Sequence, residues 1–263
     1  MDAQNNEWQE PPIPERIHKE ELPAEMSEPA TLVNIYIEPG RTFEDLRRKP
    51  RFLMAWLLII IAVTAFNGLF IQKIGFEKLV RDRIEASPQV SGMSEEQKQK
   101  IVEQQAGTVG KTLAYAAPPI AMVIIFLLGG LLYWLGANAM GGTAKFSQGL
   151  SVWVYSSFAP TVLFMIANII VLMLKAAEDI DVKRAQSGVV QANPNLFIDT
   201  TSMPVLGALF SAIDLFAIWG WVLAAIGLQK VAKISSGAAW AVVLLLALVG
   251  ITIRVVSALL FGG

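Results

Sequence analysis

Residues 52–71 read FLMAWLLIIIAVTAFNGLFI, twenty residues without a charged side chain. A helix rises ~1.5 Å per residue, so a run of this length covers the ~30 Å hydrocarbon core of a bilayer. The stretch therefore decides the fold class: the chain crosses a membrane. Four further runs repeat the pattern, with span two read at 118–136, span three at 150–174, span four at 205–228 and span five at 238–261. In hydrocarbon, backbone polar groups must be satisfied within the segment, so these runs are helices. The predicted architecture is all-α, a polytopic bundle of about five transmembrane helices with amphipathic helices at its surface. An alternative boundary lets 203–211 form a separate interfacial helix, with span four starting near Ala212.

Composition agrees. Only 16% of residues are charged, against roughly 25% in a soluble domain, and the charges are segregated into the segments between spans. The chain has no cysteine, which removes disulfides, thiolate metal sites and cysteine nucleophiles. Its one histidine, His18, lies in a polar N-terminal segment, so a histidine metal site or a Ser-His-Asp triad in the membrane body is not available. No phosphate loop, nucleophile elbow or dinucleotide fingerprint is present. The predicted protein is not an enzyme and takes no cofactor or metal. Its basic residues sit at the membrane edge, which gives no support to a nucleic-acid partner. The first ten residues are polar and acidic, unlike a secretory signal, so the first span is expected to act as an uncleaved membrane signal.

Residues 1–40 carry nine acids and two bases and are read as a mostly disordered acidic tail, with the membrane domain at 41–263. Thr42 followed by Asp45 resembles a capping box. With Phe43, Leu46 and the basic run Arg47, Arg48, Lys49 and Arg51, it predicts a short amphipathic helix on the membrane surface. The Pro118-Pro119 pair is read as the start of span two. Between spans one and two, an apolar stripe (Phe76, Leu79, Val80, Ile84) and the cap sequence Ser94-Glu-Glu-Gln97 predict a helical hairpin. Lysine and arginine before span one, and Lys230 and Lys233 between spans four and five, favour a cytoplasmic N-terminus and a C-terminus across the membrane.

Two charges fall inside spans, Asp214 and Arg254. Each costs on the order of 2.5–3.5 kcal/mol in hydrocarbon unless partnered or wet. They are expected at similar depth in neighbouring antiparallel spans, and the prediction is a buried Asp214–Arg254 pair facing the bundle interior. Small residues mark helix contacts: Gly220, Ala224 and Gly227 in span four, and Gly250 on the Arg254 face of span five. Asn67 and Asn168 are candidate interhelical hydrogen-bond donors, and Pro160 is expected to kink span three.

The stretch from Ser211 to Leu228, SAIDLFAIWGWVLAAIGL, followed by Lys230 to Ser236, resembles the Yip (Ypt-interacting protein) family, especially its bacterial branch. The motif residues are Asp214, Leu215, Phe216 and Trp219. Tyr36 to Leu46, with the basic run before span one, is also similar to that family, and the resemblance covers about 32–261. It implies five transmembrane helices, a cytoplasmic N-terminus, a C-terminus across the membrane and no catalytic residues to carry over. Eukaryotic members are linked to Rab-type GTPases and traffic between endoplasmic reticulum and Golgi. This chain lacks their Asp-Leu-Tyr-Gly-Pro motif, so the resemblance points to a bacterial inner-membrane protein. The function expected is association: binding a partner protein through the N-terminal region, organising lipid, or forming a homo-oligomer. The alternative is a transporter, channel or lipid-moving protein using Asp214, Arg254 and the kinked span.

Overall fold

The structure, a computed structural model, describes residues 23–261 apart from Ser91, Lys183, Arg184, Gln186, Ser187, Asp199 and Thr201. Among the described residues there is no strand. Five helices are long and apolar enough to cross a membrane: α3 (Leu53–Ile74), α6 (Thr108–Ala139), α7 (Phe146–Leu174), α9 (Leu215–Ala232) and α10 (Ser236–Phe261). Shorter helices complete the fold: α1 (Glu28–Ile37), α2 (Pro39–Arg48), α4 (Phe76–Ala86), α5 (Glu95–Ala106) and α8 (Pro204–Ala212).

Helix α7 is the axis of the bundle, packed against α6, α9 and α3, while α10 leans on α9, α8 and α6. Two glycine pairs explain the α6 register. A Cβ on Gly129 would sit 2.0 Å from the Trp153 ring, and one on Gly130 would sit 2.8 Å from the Leu150 backbone. Only glycine lets α6 and α7 approach this closely. The Gly141-Gly142 pair makes the turn between them, with Gly141 at φ +85°, a conformation that disfavours a side chain. The lipid-facing surface is a belt of exposed leucine, isoleucine and valine on α3, α6 and α10, including Leu57, Ile61, Leu128, Leu245, Leu248 and Ile253. Such a belt would be an aggregation liability in water and is the expected surface in a bilayer.

Three boundaries differ from the sequence reading, each for a local reason. Span two begins at Thr108, so Pro118 and Pro119 lie inside α6. Proline removes the hydrogen bond to the carbonyl four residues back, and the carbonyl orphaned by Pro118 is that of Ala114. Asn67 of α3 donates to it at 3.1 Å, so a neighbouring helix supplies the missing donor. Span four is not continuous: α8 ends at Ala212 and α9 starts after Asp214, which is the alternative boundary weighed above. The predicted hairpin does form from α4 and α5, with Ile84 and Val102 buried and Ser94 closing a capping box with Gln97.

The third difference lies at the N-terminus. Residues 1–22 of the predicted tail lie outside the described residues, but Glu28–Ile37 is helical and a second helix starts at Pro39, so the tail does not extend to residue 40. Ser27 caps α1 and Pro29 stands in its first turn. Ile35 is buried, the Thr31 hydroxyl accepts from Tyr155 at 3.1 Å, and the Tyr36 hydroxyl donates to the Ala159 carbonyl at 3.4 Å. Ala159 lies thirteen residues into α7, ~20 Å along its axis. Helix α1 is therefore wedged against the membrane body well inside one end of the bundle. The acids that made this region look like a tail are spoken for: Glu25 and Glu38 meet Arg41, and Glu25 also meets Arg48.

Candidate functional site

Helices α1 and α2 form a hairpin that closes one end of the bundle. The second helix starts at Pro39, not at Thr42, because proline suits the first turn. Thr42 is therefore interior, donating to the Glu38 carbonyl at 3.1 Å, and no Thr42–Asp45 box forms. Phe43 and Leu46, fully buried, face the protein instead of lipid. Phe43 lies where a Cβ on Gly227 of α9 would come within 2.9 Å of its ring. Lys230 of α9 pairs with Glu44 at 2.6 Å.

Asp45 is the hairpin's lock. Its carboxylate, 3% exposed, pairs with Arg51, which is 10% exposed. It also accepts from the backbone N–H of Glu25 (2.6 Å) and Met26 (3.3 Å), and Arg51 reaches back to the Met26 carbonyl. A buried pair is useful when its remaining valences are filled; here those of the carboxylate are, while Arg51 Nε has no hydrogen-bond partner among the described residues. Glu28 in turn accepts from the Met54 N–H at the start of α3 (3.3 Å), a favourable place for an anion. The Arg48 and Arg41 guanidiniums hold the Glu25 carboxyl below its ordinary value of 4.5.

At the opposite half of the bundle, α7, α9 and α10 part around a cavity of about 390 Å³. Trp153, Phe164, Phe216 and Trp221 give it aromatic walls, Ser156, Ser157 and Thr161 line one side, and Arg254 stands among the lining residues. Pro160 of α7 lies beside it and frees the Ser156 carbonyl from its helix bond. A Cβ on Gly220 would sit 3.3 Å from that oxygen, so α7 and α9 touch there and the gap opens beyond.

The predicted Asp214–Arg254 pair does not form among the described residues. Asp214 is the N-cap of α9. Its Oδ1 accepts from the N–H of Phe216 (2.9 Å) and Ala217 (3.3 Å), and its Oδ2 from Asn193 Nδ2 (3.4 Å). Its oxygens thus satisfy the helix terminus, a task a break in the chain demands. Arg254 is exposed and has neither an ion-pair nor a hydrogen-bond partner among the described residues. The small residues also divide. Gly220, Ala224 and Gly227 pack against α7 and α2, whereas a Cβ on Gly250 would meet nothing within 4 Å, since Gly250 lines the cavity. Asn168, fully buried, bonds within its helix to Phe164 and accepts the Val190 N–H (2.9 Å). It ties Val190 to α7 and does not bridge two helices. No group of three or more histidine, cysteine, aspartate or glutamate side chains suited to a metal occurs among the described residues.

Sequence reasoning missed the interface between Tyr36–Leu46 and the α9 motif. Tyr36 packs on Trp219 with ring centroids 6.0 Å apart, Phe43 fits over Gly227 and Glu44 pairs with Lys230. Phe216 of the motif turns the other way, onto Phe164 at the cavity (5.1 Å between centroids), and Leu215 is exposed. Those two segments, nearly 200 residues apart, form one contact.

The comparisons with known proteins follow the same outline. The sequence model of the Yip1 domain matches residues 33–258. The membrane protein YknW of Bacillus subtilis (strain 168) is 24% identical over 217 residues, which cover 81% of this chain and 84% of that protein. No solved structure matches.

Proposed function

Because the chain belongs to the Yip1 domain family, and is an integral membrane protein with five apolar helices, we propose that it works by association, as a partner-binding scaffold that presents its N-terminal region from a rigid cap on the bundle. The observation that carries this reading is the α2–α9 interface, where the two family-like segments meet, with Phe43 seated over Gly227 and Glu44 paired with Lys230. A rigid cap lowers the ordering entropy that a partner would otherwise have to offset. In this reading the capped end faces the cytoplasm of a bacterial inner membrane. Support comes from the basic residues that gather there: Arg41, Arg47, Arg48, Lys49 and Arg51 before α3, and Lys230 and Lys233 between α9 and α10. Residues 1–22, with six acids and two bases, then offer a basic partner an acidic segment.

The test is capture from gently crosslinked native membranes, with proteins identified by mass spectrometry. A stoichiometric partner retained by the full chain and lost both on deleting residues 1–22 and in Phe43→Ala supports the proposal. Recovery of the same proteins by all three forms, or of this chain alone, contradicts it.

A further inference from the structure

We propose that the cavity beside Arg254 is a binding site for an anionic phospholipid, with one acyl chain in the aromatic slot and the phosphodiester on the Arg254 guanidinium. This goes beyond the scaffold reading and does not depend on it.

The first ground is charge. Arg254 is a permanent cation with no carboxylate or other hydrogen-bond partner among the described residues, and Asp214, the acid expected to meet it, is used to cap α9. A charge within a span needs a partner or access to water. Arg254 stands seven residues before Phe261, the last residue of α10, ~10 Å from that helix end. From there its long side chain reaches the interface, where the phosphates of the adjoining leaflet lie. A guanidinium matches a phosphate by paired hydrogen bonds.

The second ground is shape. The cavity, about 390 Å³, falls within the ~300–1,000 Å³ of ligand pockets. It lies between helices in hydrocarbon, where lipid is the solvent. Gly250 opens its wall to α10 with nothing within 4 Å of a Cβ, while Trp153 and Trp221 supply flat apolar surface. The slot ends at the cation, so an apolar chain and an anionic head are accommodated together. A free phosphate ion shares the headgroup chemistry but leaves the aromatic slot unfilled.

The test is native mass spectrometry of the detergent-purified full chain titrated with phosphatidylglycerol or with phosphatidylcholine of the same acyl chains. The expected result is one tightly held phosphatidylglycerol, preferred about tenfold over phosphatidylcholine, whose headgroup carries the same phosphodiester but whose choline cation offsets the charge that Arg254 attracts. Arg254→Gln is expected to bring that preference close to unity, and Arg254→Lys to keep most of it. Gly250→Leu, which fills the slot and leaves the cation, is expected to lower binding of both lipids. Added inorganic phosphate should not displace the lipid. Equal binding of the two lipids by the wild-type chain overturns the proposal, as does an unchanged preference in Arg254→Gln. Gly250→Leu binding like wild type, or displacement by inorganic phosphate, overturns the assignment of the acyl chain to the slot. Thermal unfolding of each variant separates loss of the site from loss of the fold.

Discussion

Asp45→Asn isolates the lock of the N-terminal hairpin. The change keeps the side chain's shape and one carbonyl oxygen, so it can still accept from Glu25 and Met26. It removes the negative charge opposite Arg51, whose side chain is only 10% exposed. Removing one partner of a buried pair costs about 3–5 kcal/mol, because the other charge is left buried. Arg51 keeps its bond to the Met26 carbonyl, so the lower end applies, ~3 kcal/mol. The loss falls on the hairpin, which opens locally while the five spans remain in the bilayer. At ~1.4 kcal/mol per factor of ten, opening becomes about 100-fold more frequent. Hydrogen–deuterium exchange in lipid nanodiscs reads this as faster exchange of the Glu25 and Met26 amides and of α1, with α6 and α7 unchanged. Pairing the change with Arg51→Gln should recover part of the cost, since no charge is then stranded. Exchange in Asp45→Asn within a factor of three of wild type refutes the reasoning, as does a uniform acceleration across all spans.

Three other outcomes follow from the packing. Glu25 has its folded pKa lowered, first by the Arg48 hydrogen bond and then by Arg41, so the stability it gives the cap is complete above its ordinary value and is lost as pH falls through the lowered one; carboxyl NMR should show Glu25 titrating below 4.5 and moving up in Arg48→Gln. Asn67→Leu leaves the Ala114 carbonyl without its donor and should lower stability by ~1 kcal/mol, read by thermal unfolding in detergent, whereas Asn67→Gln should cost less. Gly227→Leu drives a side chain into Val152 and Phe43, since its Cβ alone would sit 2.7 and 2.9 Å from them; about 1–3 kcal/mol of overpacking is expected, with exchange faster in α2 than in α10.

Hydropathy made the fold class legible because a bilayer enforces it: length and absence of charge are physical requirements of a span, and all five spans were found on that ground. What it concealed were decisions made by single hydrogen bonds between distant residues. The start of α6 was placed at Pro118 because proline usually marks a helix start, whereas the helix runs through it with the Asn67 side chain donating to the freed Ala114 carbonyl, 47 positions away. The division of α8 from α9 was partly visible, since an aspartate immediately before an apolar run is an N-cap signal. Reading Asp214 as a span-interior charge overrode that signal and produced a pair with Arg254 that the structure does not contain. The acidic tail failed differently. Net charge over 1–40 says nothing of which acids have partners, and those at Glu25 and Glu38 are matched by bases on α2. A Cβ on Gly220 or Gly227 of span four would meet neighbouring helices within 3.3 Å, while Gly250 looks the same in sequence and lines a cavity.

The central claim is that the N-terminal helices are a fixed part of the membrane body, docked on α9. The chain has no native cysteine, so the pair Glu44→Cys and Lys230→Cys, whose side chains meet at 2.6 Å in the native chain, reports on that docking without background. A short bismaleimide, which spans the space the two longer native side chains occupied, should crosslink nearly all of the doubly substituted chain in native membranes within minutes, and the control pair Glu44→Cys with Thr252→Cys should not react. Crosslinking of the first pair no faster than the control would mean that α2 does not rest on α9, and the scaffold account would fail with it.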